Sequence, residues 1–164
     1  MKHPLTQYPI SMSFIAIPVH LKLVILITFL VAGGLVPRPV LAHGNVTPQS
    51  VDTSTLPPLG ETWRESNPYR TETGPALQEI ERVGASAYNQ NCARCHGLEG
   101  ISGGIAPDLR QLSPDLDGDE WFIYRVQNGA VRDGAVYMPK MADYLNQEAL
   151  WAIRTWLESV APKS

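Results

Sequence analysis

Cys92-Ala93-Arg94-Cys95-His96 constrains this chain more than any other stretch, because it uses both of the cysteines present. Two thiols three positions apart, with an imidazole next in line, admit few chemistries. A structural zinc site takes four Cys or His ligands. Beyond residue 42 the chain offers two Cys and two His, His43 and His96. A C-x-x-C redox dithiol belongs after a strand in a βαβ pattern. Here helical spacing precedes the motif and a glycine-rich loop follows it. A plain disulfide suits an exported protein but leaves His96 and the helix-then-loop pattern without a purpose.

What remains is covalent haem attachment, for which C-x-x-C-H is the motif. Each thiol adds to one of the two vinyl groups on one porphyrin edge, and His96 then lies under the iron as a nitrogen ligand. Covalent linkage lets a small protein keep its cofactor in a dilute, open compartment. A sixth iron ligand must come from elsewhere, and His43, Met138 and Met141 are the candidates. Met138 is preferred: it precedes Pro139 in a glycine-bearing loop ahead of the last helix, and the proline stiffens its backbone. A neutral thioether favours ferrous iron and raises the reduction potential. Met141 reads as a core or haem-edge packing residue, and His43 lies far off at the expected mature terminus. His96 also needs a partner for its other ring nitrogen. Pro107, in the loop Gly103-Gly104-Ile105-Ala106-Pro107, presents a carbonyl and no competing N–H.

The first quarter of the chain is unlike the rest. Residues 1–42 contain no Asp or Glu. Lys2, His3 and His20 precede the apolar run Leu21 to Leu35, and Val40-Leu41-Ala42 ends the segment on a small-x-small pattern. That is the layout of a secretory signal peptide, with cleavage expected after Ala42 and Met12 as an alternative start. An uncleaved anchor fits less well. The run is about 15 residues against the roughly 20 needed to span, and Pro37 and Pro39 follow it. No stable membrane insertion is expected after cleavage. Lys2, Lys22 and Arg38 are three of the 13 basic residues, so His43 to Ser164 carries ten against all 16 acidic ones, a formal charge of −6. Such an acidic chain is a poor partner for nucleic acid or anionic membrane surfaces. The run Asp115, Asp117, Asp119 and Glu120 is read as a solvated helix start rather than a docking patch for a basic partner.

Along the mature chain, residues 43–75 are rich in Pro, Thr, Ser and Gly without a period and read as an irregular arm. Trp63 and Tyr69 argue that it packs against something. The remainder, 76–164, reads as one all-α domain. Its first helix starts after Gly74, with Pro75 in the first turn, and Leu77, Ile80, Gly84 and Tyr88 recur at helical spacing up to Cys92. A second helix fits Asp119 to Gln127, stopped by Gly129. A loop carries Gly134, Met138 and Pro139. The last helix fits Gln147 to Val160, with Asn146 as its N-cap and Pro162 beyond its end. So few helices need a filler for their core, and a porphyrin is a large apolar one.

Residues 77–160 resemble the class I c-type cytochromes. The resemblance implies a small all-α fold with long loops around one haem. It implies a first-helix glycine, Gly84, packed on a last-helix aromatic, Trp156, with Tyr88 a turn on. It also implies Pro107 as the proline holding the proximal histidine and Met138 as the distal ligand. The stretches HGNVTPQ (43–49), LGETWRESNPYR (59–70), GASAYNQNCARCHGLEGISGGIAPDLR (84–110), NGAVRDGAVYMPKM (128–141) and EALWAIRTWL (148–157) are similar to the soluble cytochromes c that serve pyrroloquinoline-quinone-dependent ethanol dehydrogenases. That similarity implies a periplasmic electron carrier, not an enzyme. Its donor would be a quinoprotein alcohol dehydrogenase and its acceptor a terminal oxidase or downstream cytochrome. The alternatives are a haem c subunit of a larger oxidoreductase, or a haem peroxidase or gas sensor. A peroxidase or sensor needs an open iron position and a polar distal pocket. Arg132 is the nearest distal candidate and reads as a surface charge.

Overall fold

The computed structural model describes residues 47–163. The expected leader, its cleavage point and His43 lie outside the described residues. Helix α1 spans Gly74–Asn91, with Pro75 in its opening turn. There a missing N–H costs nothing and the fixed φ is already helical. Its buried residues, Ile80, Val83, Gly84, Ala87 and Tyr88, recur at three and four, which puts them on one face. The Cys92 N–H bonds the Tyr88 carbonyl at 2.8 Å, and the chain turns there into α2, the single turn Ala93–His96.

Helix α3 spans Leu116–Asn128, three residues earlier than the spacing predicts. The reason is Asp115, whose carboxylate accepts from the Gly118 N–H at 3.1 Å and so sets the N-cap. Gly129, at φ 65°, ends the helix. The expected loop that follows is instead a small antiparallel hairpin, β1 Ala130–Arg132 and β2 Ala135–Met138. Asp133 and Gly134 turn it with φ values of 49° and 78°, the two positive angles a tight primed turn requires. Helix α4 spans Gln147–Ser159, and the Asn146 side chain accepts from the Ala149 N–H at its start. Apart from the hairpin, the regular structure among the described residues is helical.

Helices α1 and α4 cross in direct backbone contact. At Gly84 a Cβ would overlap the Ala152 carbonyl and reach 3.0 Å from Trp156 Cβ, so glycine is what the crossing demands. Tyr88 then lies on Trp156 with ring centroids 4.7 Å apart. On one side of this pair a cluster of Ala87, Leu109, Phe122, Val126, Met141, Leu150, Ile153 and Leu157 forms the main core. A second cluster joins Ile80, Val83, Trp151 and Ala152 to Leu56, Leu59 and Tyr69. Residues 47–73 therefore supply core side chains while having no regular structure of their own. Their polar groups are anchored too: the Leu59 N–H donates to Glu148 at 2.9 Å, and the Tyr69 hydroxyl donates to the Pro57 carbonyl at 2.7 Å.

The acidic run at the start of α3 is not uniformly solvated, and Asp119 departs from expectation. It is 0 % exposed. Its carboxylate takes Arg154 Nε at 3.0 Å, Arg70 Nη2 at 2.8 Å and the Asn67 N–H at 2.8 Å. Arg70 also pairs with Glu158 at 2.7 Å. Two arginines and two carboxylates thus neutralise one another, which is the condition for burying them. Among the described residues no helix is long and apolar enough to cross a membrane.

Candidate haem site

The end of α1 and the turn of α2 bring Cys92, Cys95 and His96, at positions i, i+3 and i+4, to one face of a helical corner. The Cys95 and His96 N–H groups both bond the Cys92 carbonyl, at 3.1 and 3.0 Å. Both cysteines are free thiols. Burial pushes the Cys92 thiol up to about 12, with the neighbouring Cys95 adding to the effect. Among the described residues no three His, Cys, Asp or Glu side chains are grouped to hold a metal ion.

His96 is 8 % exposed, and its Nδ1 sits 2.9 Å from the Pro107 carbonyl. A carbonyl only accepts, so Nδ1 carries the proton and Nε2 keeps its lone pair. The chain reaches that contact by reversing at once after the histidine. Gly97 has φ 83°, and a Cβ there would overlap the Ile101 carbonyl. The Tyr88 hydroxyl donates to the Gly97 carbonyl at 2.8 Å, and the Ser102 hydroxyl bonds the Ala106 carbonyl. Met138 ends β2, half-buried against the main core, whereas Met141 is 4 % exposed inside it. Gly129 lies close under this segment, since a Cβ on it would overlap the Met138 carbonyl.

These residues fit a haem. The sulfurs are unpaired, the imidazole presents one bare nitrogen, and large apolar side chains stand exposed on the two bounding segments. Those are Leu98, Ile101 and Ile105 after the motif, and Val131, Val136 and Tyr137 on the hairpin that leads to Met138. Exposed apolar side chains on both segments are of the kind a macrocycle can cover. Sequence reasoning missed the hairpin, for which Asp133-Gly134 was the available signal. It also missed the Tyr88 hydroxyl, for which no local signal exists.

Comparison with known proteins decides the family. The chain is 68% identical over 120 residues to cytochrome c550 of Pseudomonas aeruginosa, an alignment covering 73% of this chain and 82% of that one. The chain belongs to the class I cytochrome c family. The cytochrome is accordingly an electron-transfer protein, not an enzyme, with a covalently bound haem c. Residues 80–157 also match the family described as cytochrome c oxidase, cbb3-type, subunit III. The cytochrome is 38% identical over 75 residues to the quinohemoprotein alcohol dehydrogenase ADH-IIG of Pseudomonas putida, covering 46% of this chain and 10% of the dehydrogenase. It is 36% identical over 80 residues to the chloroplastic cytochrome c6 of Chlamydomonas reinhardtii, covering 46% of this chain and 51% of that one. No solved structure matches.

Proposed function

We propose that this cytochrome is a periplasmic single-haem carrier that takes electrons from a quinoprotein, pyrroloquinoline-quinone-dependent alcohol dehydrogenase and passes them to a terminal oxidase or downstream cytochrome. In this reading Cys92 and Cys95 carry the two thioether links, His96 is the proximal ligand, Pro107 orients it, and Met138 is the distal ligand. The bound haem supplies a reversible one-electron ferric/ferrous couple. The observation that carries the reading is the 2.9 Å contact between His96 Nδ1 and the Pro107 carbonyl. In the neutral ring it fixes the tautomer and restrains the ring, which leaves Nε2 as the nitrogen available to iron. Met138 stands at the end of a hairpin with Pro139 next to it, so its backbone has little freedom. A neutral sulfur held there favours the ferrous state and a high potential.

The likeness to the haem-bearing part of quinohemoprotein alcohol dehydrogenases supports a donor of that class. The expected leader at 1–42 supports export. Stopped-flow reduction of the holo-cytochrome by a quinoprotein alcohol dehydrogenase tests the donor. The rate should rise with dehydrogenase concentration in the presence of alcohol. Reduction no faster than by alcohol and buffer alone, with ascorbate still effective, would remove the donor and leave the carrier. The second reading, a subunit of a larger oxidoreductase, is favoured by the description of the matching family. It requires the haem to elute with a large complex from gently lysed cells, whereas a free carrier elutes near the size of the single chain.

A further inference from the structure

The proximal loop is held at both ends. At its far end the Pro107 carbonyl meets His96 Nδ1 at 2.9 Å. At its near end the Tyr88 hydroxyl donates to the carbonyl of Gly97, the residue directly after His96, at 2.8 Å. Tyr88 is fully buried and stacked on Trp156, so its ring is fixed by the crossing of α1 and α4 rather than by the loop. Burial also raises the phenol well above its ordinary value, which keeps the hydroxyl a donor at any working pH. Only glycine fits at position 97, because the reversal takes a φ of 83° and the Ile101 carbonyl stands where a Cβ would be. The near end of the loop is therefore tied to the helix crossing by the Tyr88 phenol, which bonds the Gly97 carbonyl and also meets the Gly100 backbone.

We propose that Tyr88 is a positioning residue for the proximal histidine: its hydroxyl pins the Gly97 carbonyl and so sets how firmly Pro107 engages His96. This rests on the reading of His96 as an iron ligand. Without the hydroxyl the near end of the loop loosens and the His96–Pro107 bond weakens. The imidazole becomes a poorer donor, and ferric iron is less well supported.

Tyr88→Phe in the holo-cytochrome tests this, since it keeps the ring and removes the hydroxyl. The amides of Gly97 and Ile101 should exchange about fivefold faster, the equivalent of one ordinary hydrogen bond of about 1 kcal/mol. The reduction potential should rise, while the sulfur-to-iron band and the covalent haem are retained. Trp156→Phe loosens the same ring contact but leaves the hydroxyl in place, and should cost stability without moving the potential. Unchanged exchange and unchanged potential in Tyr88→Phe overturn the proposal, as does an equal shift of potential in Trp156→Phe. If Tyr88→Phe does not fold, the wild-type Tyr88 hydroxyl proton is the readout. A slowly exchanging resonance in both oxidation states supports the bond, and fast exchange refutes it. Wild-type protein that carries no covalent haem would instead defeat the site reading before any variant is compared.

Discussion

Met138 and Met141 carry the same side chain three residues apart in very different surroundings, one half-buried at a strand end and the other enclosed by the main core. Replacing Met138 with Ala should open the iron to small ligands, lower the potential and abolish the near-infrared sulfur-to-iron band. Replacing Met141 with Ala should keep that band and cost about 2–5 kcal/mol of stability in a denaturant titration, the ordinary loss for a buried Met. The opposite pairing of results would reverse the assignment. The contrast between these residues and Asp119 shows what a sequence discloses. The motif Cys92 to His96 and the carbonyl of Pro107 are legible because their chemistry is local, with the histidine and its acceptor eleven positions apart. Asp119 is indistinguishable from its solvated neighbours, because what buries it is Arg70 and Arg154, 49 and 35 positions away.

At the level of elements, α1 and α4 were legible from their 3.6-residue spacing and from Pro75 and Asn146 at their starts. The start of α3 was misplaced because an acidic N-cap looks like any other acidic residue until its partner N–H is seen. The hairpin was missed because its strands are three and four residues long and largely exposed, so neither shows a buried alternate face. One link between elements is open to titration. Glu79 on α1 accepts from the Thr55 hydroxyl at 2.7 Å and pairs with Arg82 at 2.6 Å. The Arg82 hydrogen bond, then the Thr55 one, lowers the Glu79 carboxyl from 4.5 to about 2. The folded state therefore holds this proton more weakly than the unfolded chain does. The contribution is complete above about 4.5 and is lost as the pH falls towards about 2. The protection of the amides of residues 53–56, taken relative to the free-peptide exchange rate at each pH, should fall as the pH drops across that window in wild-type protein. In Glu79→Gln the exchange should show no such step.

At the scale of the whole fold, residues 47–73 form one half of a clasp and α3 together with α4 the other. Asn67 and Arg70 on one side meet Asp119, Thr155 and Glu158 on the other, with Tyr69 in the core between them. Asp119→Ala should cost about 3–5 kcal/mol by chemical denaturation, because it removes the nearer of the two carboxylates beside Arg154, whose side chain is 1 % exposed, and leaves only Glu158 at 3.5 Å. Asp119→Asn should cost less, since its one amide oxygen can still accept from Arg154, although the Asn67 N–H, which meets the other carboxylate oxygen, loses its acceptor.

The clasp also dictates an order of events. A polypeptide emerges from its amino end, and the irregular segment arrives first with its partners 80 to 90 positions behind it, as at Leu59 with Glu148 and Asn67 with Thr155. Until α4 is delivered, Tyr69 and Leu56 lack Trp151 and Ala152 of their cluster and α1 lacks the helix it crosses. The two thiols meanwhile wait on an open chain, accessible to whatever machinery must reach them, and closure comes only with the last stretch. A chain ending at residue 146 should therefore leave residues 47–73 as sensitive to protease as an unfolded peptide, while the full chain protects them. Protection in the shortened chain would show that the segment docks without its late-arriving half.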